Sequence, residues 1–184
     1  MKICETLEQK GYSLGIRHCC NSAAVVNYPE MHLDMVRPGI ILYGCPPSNE
    51  MEQDSPFRSA MELKTTVSEV KEIPAGTSVS YGRIYTSDHP VQLASLTIGY
   101  ADSFPRTGQP AQVLLHGKRV PVVGRVCMDQ MMVDISGIGD VKMGDTATIF
   151  GRDGSEEIAA GEFALLRGSV NYEVLCAVGI RVPR

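Results

Sequence analysis

Gln112-Val113-Leu114-Leu115-His116-Gly117-Lys118-Arg119-Val120-Pro121-Val122-Val123 decides how this chain is read. Two apolar runs flank a short polar break containing a glycine, the pattern of a compact hairpin. Outward from it the same grammar repeats. Residues 60–70 and 91–98 are strand-like, and Pro74-Ala75-Gly76 makes a turn between them. Residues 131–135 and 146–150 continue the series, separated by Gly137, Gly139 and Gly144. Asn171 to Cys176 reads as a further strand. Ser155-Glu156-Glu157 reads as a helix start, with acidic groups at the positive end of the helix dipole. Short strands at this spacing predict a small barrel or sandwich.

The first quarter follows a different rhythm. Residues 1–10 look like the tail of a helix stopped by Gly11, and residues 12–17 like a short buried strand leading into His18. Asn21-Ser22 can cap a brief helix that Pro29 ends. Met35-Val36-Arg37 then runs into Pro38-Gly39, and Ile40-Ile41-Leu42-Tyr43 forms a helical turn closed by Gly44. Strand, helix, strand, helix is the order of an α/β barrel wall, and two such units cannot close a barrel. A polar, Pro-rich stretch over residues 46–56 reads as a linker. The expected division is therefore 1–48, an incomplete α/β segment, and 49–184, a β domain.

Composition narrows the function classes. A length of 184 residues fits one ordinary domain or a domain with an appendage, and 43% hydrophobic residues can fill a core. Seventeen basic against twenty-one acidic residues, with no basic stripe, argue against nucleic acid as a partner. No apolar run approaches the ~18–20 residues of a membrane span. The opening Met-Lys-Ile-Cys-Glu-Thr-Leu-Glu lacks the apolar centre of a signal peptide, so a cytoplasmic location is expected. Six cysteines show no metal spacing; Cys19 and Cys20 are adjacent and no Cys-x-x-Cys occurs. They read as reduced, structural residues, and no metal is expected.

Chemistry gathers where polar or aromatic groups end apolar runs. Val79-Ser80-Tyr81-Gly82, Ile98-Gly99-Tyr100-Ala101-Asp102 and Gly124-Arg125-Val126-Cys127-Met128-Asp129-Gln130 all have this form. Upstream, Ser22 at one helix start and the Gly39-Ile40 amides at another suit an anion. Such caps and turns are common, and alone they assign nothing. Together with His18 to Ala23 and Arg37-Pro38-Gly39-Ile40, these five motifs, in this order, closely resemble alanine racemase from about Gly11 to Arg184. The resemblance implies a mainly β fold: the C-terminal β-barrel-like domain of that family, preceded by a short α/β remnant of a TIM barrel. It also implies pyridoxal 5'-phosphate as cofactor, an amino-acid substrate and a homodimer. In that dimer the tyrosine domain of one subunit completes the barrel site of the other.

Residue by residue, the resemblance makes Ser22, Gly39 and Ile40 contacts of the cofactor phosphate, with Tyr172 reaching the same group. Arg37 would face the pyridine nitrogen, and His18 would hydrogen-bond Arg37. An arginine does not give up its proton, so the ring nitrogen stays unprotonated and the cofactor is a weaker electron sink. Racemisation needs two acid/base groups, one on each face of the α-carbon, and Tyr81 matches the family's tyrosine for one of them. A phenol's ordinary pKa of ~10 makes it a poor base, so positive or hydrogen-bonding neighbours are required, for which Arg37 and His18 are candidates. Tyr100 matches a position lining the entrance, and Met128 one whose backbone amide meets the substrate carboxylate. Arg106 and Arg125 match positions along the access corridor. The departures are small: Cys20 stands where alanine is usual, and Ser103 where glycine is usual.

The family's other base is a lysine in a Lys-x-Asn-x-Tyr-Gly-His setting, and none of the six lysines here lies in one. The expectation is therefore the C-terminal portion of an L-alanine to D-alanine racemase serving cell-wall precursor supply. Alone it should be inactive, awaiting an N-terminal barrel half as partner. A serine or broad-specificity racemase is the alternative within the class, and a non-catalytic β interaction module the alternative outside it.

Overall fold

Strand β1 (Leu63–Ile73) belongs to two ladders at once. Its first residues, from Leu63 to Thr66, pair with β8 (Thr146–Asp153). Its later residues, from Val67 to Ile73, pair with β4 (Val91–Leu96). A register shift between Val67 and Glu69 marks a bulge, which bends the strand from one ladder into the other. From β4 the sheet continues through β7 (Met131–Asp134), β6 (Lys118–Val123) and β5 (Gln112–Leu115), and back to β8. Every pairing is antiparallel, and the six strands form a closed ring. Of barrel and sandwich, the chain forms the barrel. Closure leaves no free edge within the ring.

The computed structural model describes residues 2–51, 57–106 and 108–184, and it divides into two units, Met1–Ala60 and Met61–Arg184. In the second unit Val67, Val91, Leu93, Leu96, Leu114, Leu115, Met131 and Ile149 are buried almost completely. Each such side chain contributes about 1.5–3 kcal/mol of burial. Residues 147–151 of β8 are buried in succession, so both faces of that strand are covered. Helix α3 (Ala160–Leu166) supplies part of the cover: its Phe163 ring lies 5.7 Å from that of Phe150 and 5.5 Å, edge-on, from that of Phe104.

The central hairpin forms as expected, with Leu115 opposite Lys118 and His116-Gly117 as its two-residue turn. In the second unit two expectations fail. Ser155-Glu156-Glu157 does not start a helix: β9 (Glu156–Ile158) returns along β8, with Asp153 opposite Glu156 across a two-residue Gly154-Ser155 turn. A glycine-first turn between facing strand ends is a hairpin signal, and it overrides the helix-dipole preference of the acidic pair. The helix begins only at Ala160. Asn171–Ala177 is helix α4 rather than a strand. Its buried residues Asn171 and Val174, with Val178 just beyond, follow a spacing of three and four, which is helical.

Between β1 and β4 the chain makes a ribbon of β2 (Ser78–Val79) and β3 (Tyr85–Thr86), with Val79 opposite Tyr85. Val79 packs into a cluster with Ile73, Val91, Leu93 and Val123, against which Tyr85 and Met132 also rest. The ribbon is thereby pinned to the barrel, and its tip is Tyr81.

The first unit contains α1 (Lys2–Gln9) and α2 (Ser22–Asn27). Asn21 caps α2, its side chain accepting the Ala24 N–H at 3.0 Å. Single helical turns follow at Pro29–Met31 and Ile40–Tyr43, the latter ending at Gly44. Residues 12–17 form no strand: a strand needs a neighbour to exchange backbone hydrogen bonds with, and Gly15 adopts φ 61 within the run. Arg17 instead clamps Asp34, with its Nε at 2.9 Å and its backbone N–H at 3.0 Å. Of the expected linker over residues 46–56, positions 52–56 lie outside the described residues. Among the described residues no helix is long and apolar enough to cross a membrane, and no group of three or more His, Cys, Asp or Glu could hold a metal.

Candidate active site

Tyr81 is placed by a strained backbone. Ser80 has φ 70 and ψ 177, a region almost reserved for glycine, and it sits immediately before the tyrosine. What holds it there is its own side chain. Ser80 Oγ donates to the Arg125 carbonyl at 2.7 Å and accepts the Arg125 N–H at 2.7 Å. Gly124 makes this approach possible, since a Cβ there would lie 2.6 Å from Ser80 Cβ. Two sequence motifs distant along the chain are thus stitched together. Arg125 also brings its guanidinium close to Gly82, next to Tyr81: a Cβ on Gly82 would lie 3.8 Å from Nη2.

The second stitch joins the Tyr100 loop to the same 124–130 motif. Tyr100 N–H donates to the Cys127 carbonyl and Ala101 N–H to the Met128 carbonyl, each at 3.0 Å. Gly99 lets the backbones meet, because a Cβ there would lie 2.3 Å from both carbonyl oxygens. In a trans peptide the N–H points opposite to the C=O. The Met128 N–H therefore faces away from the Tyr100 backbone. The result is a pocket of about 620 Å³ lined by Tyr81, Tyr100, Arg106, Val126, Cys127 and Met128. Four residues expected from sequence meet in it. Arg125 lies beside it, at Gly82. Tyr172 is the second residue of α4 and is not among the lining residues.

Arg181 braces two loops of this pocket through their carboxylates. Its Nε and Nη2 donate to Asp102 Oδ1 and Oδ2 at 2.6 and 3.0 Å, and Nη2 donates to Asp129 at 2.5 Å. Asp102 in turn accepts the Gly99 N–H at 3.1 Å. One guanidinium so ties the Tyr100 loop to the Met128 loop. Its hydrogen bonds hold the Asp102 carboxyl below the usual range, and the aspartates raise Arg181. Ser103 closes the Tyr100 turn at φ 89, a left-handed conformation, and Arg167 donates to both its carbonyl and its hydroxyl at 2.8 Å. The signal for Arg181 was weak: an arginine three residues from the end belongs to none of the five motifs.

In the first unit His18 Nδ1 and Arg37 Nη1 are hydrogen-bonded. Ser22 is 6% exposed, and its Oγ accepts the Gly39 N–H at 2.8 Å. That acceptor role leaves the hydroxyl proton for another partner. Gly39 starts the Ile40–Tyr43 turn, and a Cβ on it would lie 3.7 Å from Ser22 Oγ, so the missing side chain leaves a cradle over that oxygen. The Ser22 hydroxyl proton and the Ile40 amide that opens the turn are donors that fit a phosphate, while the Gly39 N–H is spent on Ser22 Oγ and holds that hydroxyl in place. An arginine fixed by histidine fits a ring nitrogen that must stay unprotonated.

Comparison with known proteins agrees with this architecture. Residues 60–184 match the family model described as alanine racemase, C-terminal domain, and residues 1–47 match alanine racemase, N-terminal domain. The alanine racemase of Methanococcus maripaludis is 49% identical over 179 residues, 97% of this chain and 48% of that protein. That of Desulfovibrio desulfuricans is 50% identical over 97% of this chain and 47% of its own length. Among solved structures, the Clostridium difficile alanine racemase complex with cycloserine superposes with a TM-score of 0.89 at 40% identity, over 98% of this chain and 48% of that one. The Bacillus anthracis alanine racemase with bound L-Ala-P gives 0.88 at 37% identity, over 100% of this chain and 47% of that one. The chain belongs to the alanine racemase family. It spans about half the length of the curated relatives it matches.

Proposed function

We propose that this chain is the tyrosine-bearing portion of a cytoplasmic, homodimeric alanine racemase that interconverts L- and D-alanine. One observation carries the reading: Tyr81, Tyr100, Arg106 and Met128, singled out from separate motifs, line one pocket. Tyr81 holds or removes the α-proton on one face of the substrate. Ser80 keeps its loop against Arg125. The Met128 amide binds the substrate carboxylate, and Arg106 draws that carboxylate in from solvent. Tyr100 narrows the entrance and excludes water. Ser22, Gly39 and Ile40 hold the phosphate of pyridoxal phosphate, and Arg37, oriented by His18, faces its ring nitrogen. When bound, that cofactor withdraws electrons from the α-carbon and makes its proton removable. The second base is a lysine that none of the motifs here contains. Residues that a full-length relative carries ahead of the matched segment supply it, so these 184 residues alone are inactive.

The test is D-alanine formation from L-alanine with added pyridoxal phosphate. The chain is assayed alone and mixed with the lysine-bearing N-terminal half of a relative. Activity is expected only in the mixture, and Tyr81→Phe there should remove it by about 10²-fold or more. Activity of the chain alone, or full activity of the phenylalanine variant in the mixture, would overturn the assignment.

A further inference from the structure

Consecutive side chains of a regular strand point to opposite faces. Cys19 and Cys20 do not. Cys19 Sγ donates to the Met31 carbonyl at 3.3 Å, and Cys20 Sγ donates to the same oxygen at 3.0 Å. Two neighbouring thiols therefore converge on one point, ahead of the α2 cap. Cys19 is exposed and Cys20 is 0% exposed. The pair takes no part in the proposed reaction.

A disulfide is the wrong bridge for such a pair. Adjacent Cα atoms across a trans peptide are ~3.8 Å apart, below the ~4.4–6.8 Å that disulfides span without strain. A bridge with one more atom, a thiophilic centre accepting two sulfurs, removes that conflict. We propose that Cys19 and Cys20 form a vicinal dithiol site that takes a trivalent arsenical across both sulfurs. The exposed Cys19 thiol bonds first. Burial holds the Cys20 thiol up, with the adjacent Cys19 adding to this and Arg37 opposing it, so Cys20 reacts second. Its ring closure is intramolecular and correspondingly favoured. With an arsenoxide, R–As=O, two S–H bonds and the As=O bond break and two As–S bonds form. The oxygen leaves with both protons as one water. Arsenic remains trivalent, and nothing is oxidised or reduced.

The probe is phenylarsine oxide, added to the full chain and followed by intact mass and by thiol titration. One phenylarsenic group per chain is expected, with loss of two of the six thiols. 2,3-Dimercaptopropanol should reverse it and 2-mercaptoethanol should not. Cys20→Ala places the residue usual in alanine racemases and should weaken retention by about 10²-fold or more, to the level of a single thiol. Cys19→Ser, at an exposed position, should do the same and serves if the first variant misfolds. Circular dichroism confirms folding of each. A dithiol-specific adduct that persists in either folded variant, or no adduct in the parent chain, would overturn the proposal.

Discussion

The hydroxyl of Ser80 is bonded twice to the backbone of Arg125, as donor to its carbonyl and as acceptor from its N–H, both at 2.7 Å. This pair of bonds holds a non-glycine residue at φ 70 beside Tyr81. Ser80→Ala keeps the strain and loses both bonds, and should cost about 1–2 kcal/mol. Ser80→Gly loses the same bonds but relieves about 1–3 kcal/mol of backbone strain, leaving stability near the parent value. Urea midpoints of the two variants distinguish them, and equal midpoints would sink this account. In the complemented racemase both should lose about 10–100-fold in rate, because the tether positions Tyr81.

Gly99 has no room for a methyl group. A Cβ 2.3 Å from two carbonyl oxygens meets backbone, which cannot swing aside as a side chain can. Gly99→Ala should destabilise by about 3 kcal/mol. A melting temperature within a degree or two of the parent's would contradict the close approach of the two loops.

Asp102 is 8% exposed and accepts from both Arg181 and the Gly99 N–H. Asp102→Ala orphans the buried amide and should cost about 2–3 kcal/mol, read from chemical denaturation. Arg181→Met should lower the denaturation midpoint in the same direction. The Asp102 carboxyl is depressed in the folded state. Its contribution is therefore present above the ordinary carboxylate pKa and lost as pH falls through the folded value. Arg181→Met should flatten that acid-side slope.

Asp34 offers a cleaner titration. Hydrogen bonds from the Arg17 side chain and backbone hold its carboxyl at about 2. Because the folded pKa lies below the ordinary ~4, the stabilisation is complete above that value and disappears as pH drops toward 2. Carbon-13 titration of the Asp34 carboxyl should give the low value in the parent chain. In Arg17→Met it should return most of the way to the ordinary one. An unchanged midpoint would assign the shift to something other than Arg17.

What was legible in the sequence followed local chemistry. The β5–β6 hairpin, the Asn21 cap and the Gly44 stop are each decided within a few residues, and each forms. The residues of the pocket were legible because the motifs carry the family resemblance, although no local rule says that Tyr81 and Met128 share a cavity. Asn171–Ala177 misled because Tyr, Val, Leu and Cys suit a strand as well as a buried helix face. Arg181 was invisible because its meaning lies in two distant carboxylates, Asp102 and Asp129. Ser103 departs from the family pattern, and its φ of 89 shows why glycine is natural there. The compensation, Arg167 on its hydroxyl, is a tertiary contact beyond any window of sequence.

The double membership of β1 has a consequence for the order in which the molecule is made. Leu63 pairs with Phe150, so the ring cannot shut until β8, the last of its six strands, has left the ribosome. Until then β1 offers an unpaired side to solvent and to other chains. Pairings this remote in sequence are slow to form. The vulnerable interval for this protein is therefore the time between synthesis of its first barrel strand and arrival of β8. Crowding or heat should do most harm to newborn chains, and least to finished ones.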